Sequence, residues 1–284
     1  SRKRSPRPTI FRGTDIMRLT IRHLSTYLYD PPADRVAMRL KLYPSRFEGQ
    51  STVEWRVTVN GVVVNPLLMS GFGDEEGLWL DHRRPEEAEI IAEGVVETED
   101  KAGLVRGLPA NPPANIFLRE TRLTRSDKAI EAIAASAARR DPLDEMHELS
   151  RAVRAAVDYT PGVTHALTPA ADALRLGAGV CQDHAHVFIA AARARGHPAR
   201  YVAGYMMAAE DAADLHETHA WAEAFVSGLG WVGFDPSNEV CPTERYIRLA
   251  SGLDAEGAAP IRGNVLGGGD ERLQASVVIA QAQQ

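Results

Sequence analysis

The sequence predicts an α+β protein in which an antiparallel β-sandwich-like domain precedes a core of helices packed on an antiparallel sheet. Three observations lead to this prediction. Short apolar runs with alternating polar residues, typical of strands, fill residues 17 to about 105. Helical spacing of apolar residues replaces them after residue 115, and strand-like runs return after residue 200. Because helices precede strands in the second part, we expect its helices to cover one face of its sheet.

The first domain is predicted to span residues 17–112. Asn60-Gly61 separates the runs 53–59 and 62–64, and this dipeptide favours a two-residue hairpin turn. Further strand-like runs cover residues 36–43, 78–80 and 89–96. No residue pattern here indicates chemistry, so we expect this domain to support the second one or to form one wall of a substrate cleft.

The second domain is predicted to span residues 113–250 and begins with helices. Ser126 or Asp127 can cap a first helix that runs to about residue 138. A second helix is expected over residues 144–157, with Met146, Leu149, Val153 and Val157 on its apolar face. A short third helix, residues 170–176, leads to a glycine-bearing turn. The strands that follow are predicted at residues 200–207, 220–226 and 230–234.

The last segment, residues 251–284, is glycine-rich and contains two strand-like runs, 260–265 and 273–279. These strands are expected to close the edge of a sheet in one of the two domains. At the other end of the chain, residues 1–16 are basic and contain prolines but no apolar stretch of the kind found in secretory signals. This segment is therefore predicted to be a flexible tail or a misassigned start.

Composition narrows the class of protein. Of 284 residues, 44% are hydrophobic and 25% are charged, which is ordinary for a globular chain with sizeable cores. The net charge of −6 argues against nucleic acid or an anionic membrane as a partner. No stretch approaches the roughly 18 apolar residues of a spanning helix. Two cysteines make no disulfide framework, so the expected location is cytoplasmic.

The stretch from Gly177 to His186 carries the main chemical signal. A turn with two glycines runs directly into an apolar, alanine-rich segment, residues 185–194, that predicts a buried helix. Cys181 therefore falls at or beside the first turn of that helix. Free backbone N–H groups and the positive end of the helix dipole favour a thiolate there, and the N–H of Cys181 itself can stabilise an oxyanion.

Two further residues complete a possible catalytic set. His219 lies in the alternating run His-Ala-Trp-Ala-Glu-Ala-Phe, and Asp235 follows the run Gly-Trp-Val-Gly-Phe. A cysteine, a histidine and an aspartate on separate elements can serve as nucleophile, base and orienting group. The alternative is a buried structural cysteine, which is the commoner fate of this residue type.

A zinc site is the competing interpretation for the same residues. Cys181, His184 and His219 could share a metal, but neither a second cysteine pair nor a glutamate-containing helix motif accompanies them. His184 and His186 are two positions apart on a helix and point to different faces. We therefore predict no metal and no cofactor, and we expect His216 to be an exposed loop residue.

Four motifs in this order resemble the bacterial transglutaminase-like superfamily. They are Gly-Val-Cys-Gln-Asp-His-Ala-His at 179–186, Pro-Ala-Arg-Tyr-Val-Ala-Gly-Tyr at 198–205, His-Ala-Trp-Ala-Glu at 219–223 and Gly-Trp-Val-Gly-Phe-Asp-Pro-Ser-Asn at 230–238. Tyr-Thr-Pro-Gly at 159–162 also fits, and the β-rich start resembles the N-terminal domain of many bacterial members. Ala203 and Ser237 depart conservatively from the serine and threonine expected there.

The resemblance implies a papain-like transglutaminase core with Cys181 as nucleophile, His219 as general base and acid, and Asp235 as the group that orients His219. Tyr159 or Gln182 would help to hold an oxyanion, and His184 and Trp221 would wall the site. The expected reaction is cleavage of a peptide or isopeptide-type amide through a thioester.

Two alternatives to that protease or amidase activity stay open. The chain can be a transamidase of the protein-glutamine γ-glutamyltransferase type, or a non-catalytic module that binds a peptide or partner protein. A peptide or protein amide is the expected partner in each case. Calcium sites occur in the animal cross-linking enzymes, and no acidic loop motif for calcium stands out in this sequence.

Overall fold

The computed structural model describes residues 16–109, 112–208 and 218–282. Its strands are β1 (Met17–Asp30), β2 (Arg35–Leu40), β3 (Gln50–Val59), β4 (Val62–Val63), β5 (Leu68–Met69), β6 (Glu75–Asp81), β7 (Glu87–Thr98), β8 (Leu104–Val105), β9 (Asp158–Tyr159), β10 (Ala178–Gly179), β11 (Ala199–Met206), β12 (Thr218–Val226), β13 (Gly230–Phe234), β14 (Tyr246–Gly252), β15 (Ile261–Leu266) and β16 (Asp270–Gln281). Its helices are α1 (Lys128–Ser136), α2 (Pro142–Ala156), α3 (Ala170–Leu176), α4 (Cys181–Ala194) and α5 (Ala255–Ala258), with a 3-10 helix at Ala114–Leu118. Residues 1–15 of the predicted tail, Asn111 of the expected linker and His216 lie outside the described residues.

Two antiparallel sheets form the β-rich part of the molecule. One has the strand order β16-β1-β7-β3-β4 and the other β15-β2-β6-β5. Alternate residues of both sheets enter one apolar core, which includes Leu19, Ile21, Val36, Leu40 and Ile90. This arrangement is the sandwich-like domain that the alternating strand pattern predicts.

The Asn60-Gly61 turn fixes the register of the β3–β4 hairpin. Both residues have positive φ, 48° and 75°, as a type I′ turn requires. Val59 pairs with Val62 directly across the turn. The dipeptide therefore forms the hairpin that the sequence predicts.

The second part is a five-stranded sheet, β14-β11-β12-β13-β8, covered by helices. Helix α4 packs on β11 and β12, and α1, α2 and α3 pack around α4. Small side chains meet at this contact, since Ala185 and Ala190 of the helix share a core with Ala222 and Ala224 of the sheet. These side chains allow helix and sheet to approach closely. The structure thus confirms the α+β class and a core of helices on an antiparallel sheet.

Side-chain caps set the starts of the first two helices. Asp127 accepts hydrogen bonds from the N–H groups of Ala129 and Ile130, which confirms it as the cap of α1. Asp141 caps α2 in the same way, and Pro142 occupies the first turn, where its missing N–H costs nothing. Helix α2 therefore begins two residues before the predicted start, because this aspartate–proline signal precedes the apolar pattern.

Three strands, β8, β15 and β16, each pair with the edge of a sheet formed by other parts of the chain. Strand β8 belongs to the sheet of the second part and pairs with β13. Strands β15 and β16 pair with β2 and β1, so both C-terminal strands lie at edges of the sandwich sheets.

Strand β14 is absent from the sequence predictions. All seven of its residues are buried, and Arg248 and Ser251 interrupt the apolar pattern.

Among the described residues, no helix combines the length and the apolar character needed to cross a bilayer.

Candidate active site

A tight turn places Cys181 at the first position of α4. Val180 precedes it in an extended conformation, and its N–H donates to Asp183 Oδ2 at 2.8 Å. Thr164 Oγ1 donates to the same oxygen at 2.6 Å. A side chain at Gly179 would come within 2.6 Å of that carboxylate, so only glycine allows the turn to close over it. The glycine of the motif is therefore explained by the close approach of Asp183.

The Cys181 side chain is half-buried at the N-terminus of α4. The first N–H groups of a helix have no partner within the helix, and the helix dipole places partial positive charge there. Both effects stabilise a thiolate and a developing oxyanion. Cys241, the second cysteine, is also a free thiol. Burial and the charge of Asp100 raise its pKa to about 11, which makes it a poor nucleophile at neutral pH.

His219 bridges Cys181 and Asp235. Its Nε2 lies 2.7 Å from Asp235 Oδ2, so Nδ1 is the ring nitrogen available to Cys181, with which His219 also interacts. Burial alone lowers the pKa of His219, but the hydrogen bonds and negative charges of Asp235 and Cys181 outweigh it and raise the pKa to about 10. The imidazole is therefore charged at neutral pH, beside the sulfur of Cys181.

Asp235 follows strand β13 and is fully buried. Besides His219, it accepts hydrogen bonds from Asn238 Nδ2 at 2.7 Å, the Tyr246 hydroxyl at 2.8 Å and the Ser237 N–H at 3.0 Å. Burial raises the pKa of this carboxyl, but the donors of His219, Asn238 and Tyr246 prevail and hold it below its usual range. Asp235 is thus an ionised group with fixed orientation.

His184 lies one helical turn after Cys181 and is completely buried. Its Nε2 is 2.8 Å from the carbonyl oxygen of Val157, which can only accept, so this nitrogen carries the proton. Its Nδ1 then accepts from the Ser237 hydroxyl at 2.7 Å. Burial lowers the pKa of His184, consistent with a neutral ring. Both nitrogens are occupied, which conflicts with a metal bond to this side chain.

The remaining predicted site residues, Tyr159, Gln182 and Trp221, differ in their exposure and in what they contact. Tyr159 is 47% exposed, and its ring centroid lies 6.1 Å from that of His184. Gln182 donates its side-chain amide to the carbonyl oxygen of Ala166 at 3.1 Å, so it holds a neighbouring loop. Trp221 is buried, with its ring stacked 6.3 Å from that of His219.

Four residues of the site are missing from the sequence predictions: Thr164, Asp183, Asn238 and Tyr246. Asp183 and Asn238 stand inside recognised motifs, where their positions three residues after Val180 and Asp235 are typical of capping and turn side chains. Tyr246 gives no such signal, because strand β14 carries it to the site from outside every motif.

Comparisons with known proteins find similar sequences for part of the chain and for nearly all of it. Residues 131–236 match the model of the transglutaminase-like superfamily. An uncharacterized protein of Mycobacterium leprae is 29% identical over 282 residues, covering 93% of this chain and 99% of its own. An uncharacterized protein of Mycobacterium tuberculosis is 30% identical over 167 residues, 55% of this chain and 53% of its own.

A crystal structure from Cytophaga hutchinsonii, described as a candidate cysteine protease, has the same fold. Its TM-score is 0.77 at 22% identity, and the match covers 95% of this chain and 92% of the other. The similarity therefore includes the β-rich part as well as the helices and the sheet. Residues 131–236 are therefore similar to the transglutaminase-like superfamily, and the chain shares the fold of the Cytophaga protein.

Proposed function

We propose that the protein is a cysteine-dependent acyl-transfer enzyme that cleaves a peptide or isopeptide-type amide. Cys181 is the nucleophile, His219 the general acid and base, and Asp235 the group that orients and charges His219. The observation that supports this most is that His219 bonds a fully buried carboxylate through one ring nitrogen and interacts with Cys181 at the start of α4.

The reaction would begin with attack of the Cys181 thiolate on the amide carbon. The tetrahedral oxyanion would form beside the first N–H groups of α4, which have no partner within the helix. His219 would then give its proton to the departing amine, and the C–N bond would break to leave a thioester. Water, losing a proton to His219, would attack the thioester; the C–S bond would break, a carboxylic acid would leave, and the Cys181 thiolate and the His219 cation would be restored.

Hydrolysis is the proposed fate of the thioester because the cytoplasm expected for two free cysteines offers water in excess. A peptide or protein amide is the proposed partner. An amine that competes with water would give the transamidase reaction instead, and a site that binds without reacting would give a peptide-binding module. Both outcomes are distinguished by one experiment.

The test is acylation of the protein by a p-nitrophenyl ester, followed by intact mass and release of nitrophenol. We expect one acyl group on Cys181, loss of the adduct over time in water, and no adduct in Cys181→Ala. Cys241→Ala is the matched control and should acylate as the wild type does. Faster adduct loss with a different product after addition of an amine would establish transamidation.

Absence of acylation in the wild type would contradict the proposed enzyme and leave the binding module. Equal acylation in Cys181→Ala and the wild type would contradict the assignment of the nucleophile. His219→Ala should acylate far more slowly, because the thiol loses both its charged partner and its base.

A further inference from the structure

The carboxylate of Asp235 has more hydrogen-bond donors than the orientation of one imidazole requires. His219, Asn238 and Tyr246 all donate to Oδ2, at 2.7, 2.7 and 2.8 Å, while the Ser237 N–H donates to Oδ1. Because Asp235 is fully buried, these donors take the place of water around its charge. Each donor therefore affects both the direction and the ionisation of this carboxylate.

Tyr246 differs from the other donors because its ring is itself locked in place. The ring lies 5.8 Å from that of His219 and packs edge-to-face on Trp221 at 5.5 Å. Only 7% of the residue is exposed. These contacts hold the ring with its hydroxyl 2.8 Å from Asp235 Oδ2.

The strand that carries Tyr246 is held by the β-rich part of the molecule. Gln50 Oε1 accepts from the N–H of Arg248 at 2.7 Å, and Gln50 Nε2 donates to the carbonyl oxygen of Arg248 at 2.8 Å. The N–H of Ser45 donates to that same carbonyl at 2.9 Å. Gln50 is buried and forms this pair of bonds two residues away from Tyr246 along β14.

We propose that Tyr246 is a positioning residue for the pair His219 and Asp235, and that Gln50 of the β-rich domain sets the place of Tyr246 by clamping the backbone of β14. This proposal rests on the proposed function. The β-rich domain would then contribute to catalysis by holding strand β14. On that strand, the Tyr246 hydroxyl keeps Asp235 ionised and directed at His219.

The charged and titratable groups around His219 and Asp235 determine the direction in which loss of the Tyr246 hydroxyl should shift the pH dependence. Cys181 and His184 face it from α4, and Arg245 precedes β14 near the Tyr246 hydroxyl. His184 stays neutral because burial lowers its pKa. Removal of the Tyr246 hydroxyl takes a donor from a buried carboxylate, so the pKa of Asp235 must rise. Asp235 then loses its charge at a higher pH, and with it the support for the His219 cation.

The test is the pH dependence of Cys181 alkylation by iodoacetamide in the full-length wild type and in Tyr246→Phe. We expect the acid limb of the rate profile to move about one pH unit higher, as the loss of a hydrogen bond to a charged group implies. Tyr205→Phe is the matched control, since its buried hydroxyl bonds His23 at 2.9 Å instead of Asp235. Its profile should match the wild type. An unmoved acid limb in folded Tyr246→Phe would overturn the positioning role.

Gln50→Ala tests the clamp and should move the acid limb in the same direction by a smaller amount. Gln50→Glu keeps one side-chain acceptor for the Arg248 N–H and should lie between Gln50→Ala and the wild type. Unmoved limbs in both folded variants would overturn the role of Gln50. If the wild-type profile itself did not depend on His219, the proposed function would fail; if it did and Tyr246→Phe matched it, only the positioning role would fail.

Discussion

The electrostatic balance at His219 determines the chemistry expected of Cys181. A buried imidazole is normally neutral, because burial disfavours its charge. Here Asp235 and Cys181 reverse that preference and raise the pKa of His219 to about 10. A cation beside the sulfur favours negative charge on it, and the same cation can later protonate a departing amine.

Asp235→Asn should therefore reduce the reactivity of Cys181 at neutral and acid pH. Without the carboxylate charge, the pKa of His219 falls toward its ordinary value, and we expect alkylation at pH 6 to slow by about ten- to a hundredfold. The measurement is the rate of iodoacetamide labelling followed by intact mass. Asp158→Asn is the control, because the Asp158 side chain is 87% exposed. Equal rates in Asp235→Asn and the wild type would show that Asp235 does not act on His219.

At the scale of the elements, the start of α4 is held by specific contacts around Gly179 and Asp183. The helix must begin at Cys181, and Asp183 secures this start by accepting from both Val180 and Thr164. The carboxylate reaches back over Gly179 to do so. A β-carbon at position 179 would lie 2.6 Å from Asp183 Oδ2 and 2.7 Å from Asp183 Cβ.

Gly179→Ala should lower the free energy of unfolding by about 1–3 kcal/mol, because the turn or Asp183 must shift to admit the methyl group. It should also slow labelling of Cys181, whose place depends on this turn. Urea unfolding and iodoacetamide labelling measure the two effects. Gly263→Ala is the control, since a methyl group there meets open space. Unchanged stability and labelling in Gly179→Ala would refute the close approach.

At the scale of the whole molecule, a buried charge network joins the β-rich part to the second sheet. Glu223 bonds Arg200 at 2.6 Å and Arg248 at 2.9 Å, and Arg248 lies 3.7 Å from Asp74. Lys41 extends the network from Asp74 at 3.1 Å. All five side chains are 3% exposed or less. Opposite charges therefore compensate one another away from water.

Glu223→Gln should destabilise the protein by about 3–5 kcal/mol, because the buried guanidinium groups of Arg200 and Arg248 both lose the carboxylate charge that they share. Urea unfolding at pH 7 measures this loss. Glu97→Gln is the control: its partner Arg18 is 47% exposed, and pairs of this kind contribute little. A change in Glu223→Gln as small as that in Glu97→Gln would contradict the importance of the network.

The same network predicts how stability depends on pH. Burial raises the pKa of Glu223, but Arg200 and Arg248 prevail and lower it below the ordinary value. A group with a depressed pKa in the folded state stabilises the fold above its unfolded pKa, about 4.3, and loses this contribution as the pH falls. The stability of the wild type should therefore decrease below about pH 4 more steeply than that of Glu223→Gln, as thermal melting across this range would measure.

What the sequence predicts depends on the range of the interactions involved. The α+β class, the cap of α1 at Asp127 and the turn at Asn60-Gly61 follow from neighbouring residues and are confirmed. The proximity of Cys181, His219 and Asp235 was expected only from ordered motifs, since spacing alone does not bring three elements together. Tyr246 and Gln50 were not expected, because strand pairing and tertiary contacts bring them to the site from distant parts of the chain.

Strand β14 is a whole element that could not be predicted from neighbouring residues. All seven of its residues are buried, so no alternation of polar and apolar residues indicates a strand. Arg248 is of a type usually found at the surface, but here its side chain bonds Glu223 and its carbonyl oxygen accepts from Gln50. Patterns of burial are readable from a sequence when one face meets water. They are not readable when both faces are covered by parts of the chain some 200 residues apart.

The most direct test of the proposed chemistry is the rate of Cys181 alkylation by iodoacetamide against pH in the wild type and in His219→Ala. An unperturbed thiol becomes reactive only near pH 8.5 and does not respond to a histidine. We expect the wild type to react well below that pH and His219→Ala to lose this reactivity, with Cys241→Ala behaving as the wild type. An ordinary thiol profile that is the same in the wild type and His219→Ala would contradict a thiolate–imidazolium pair at this site.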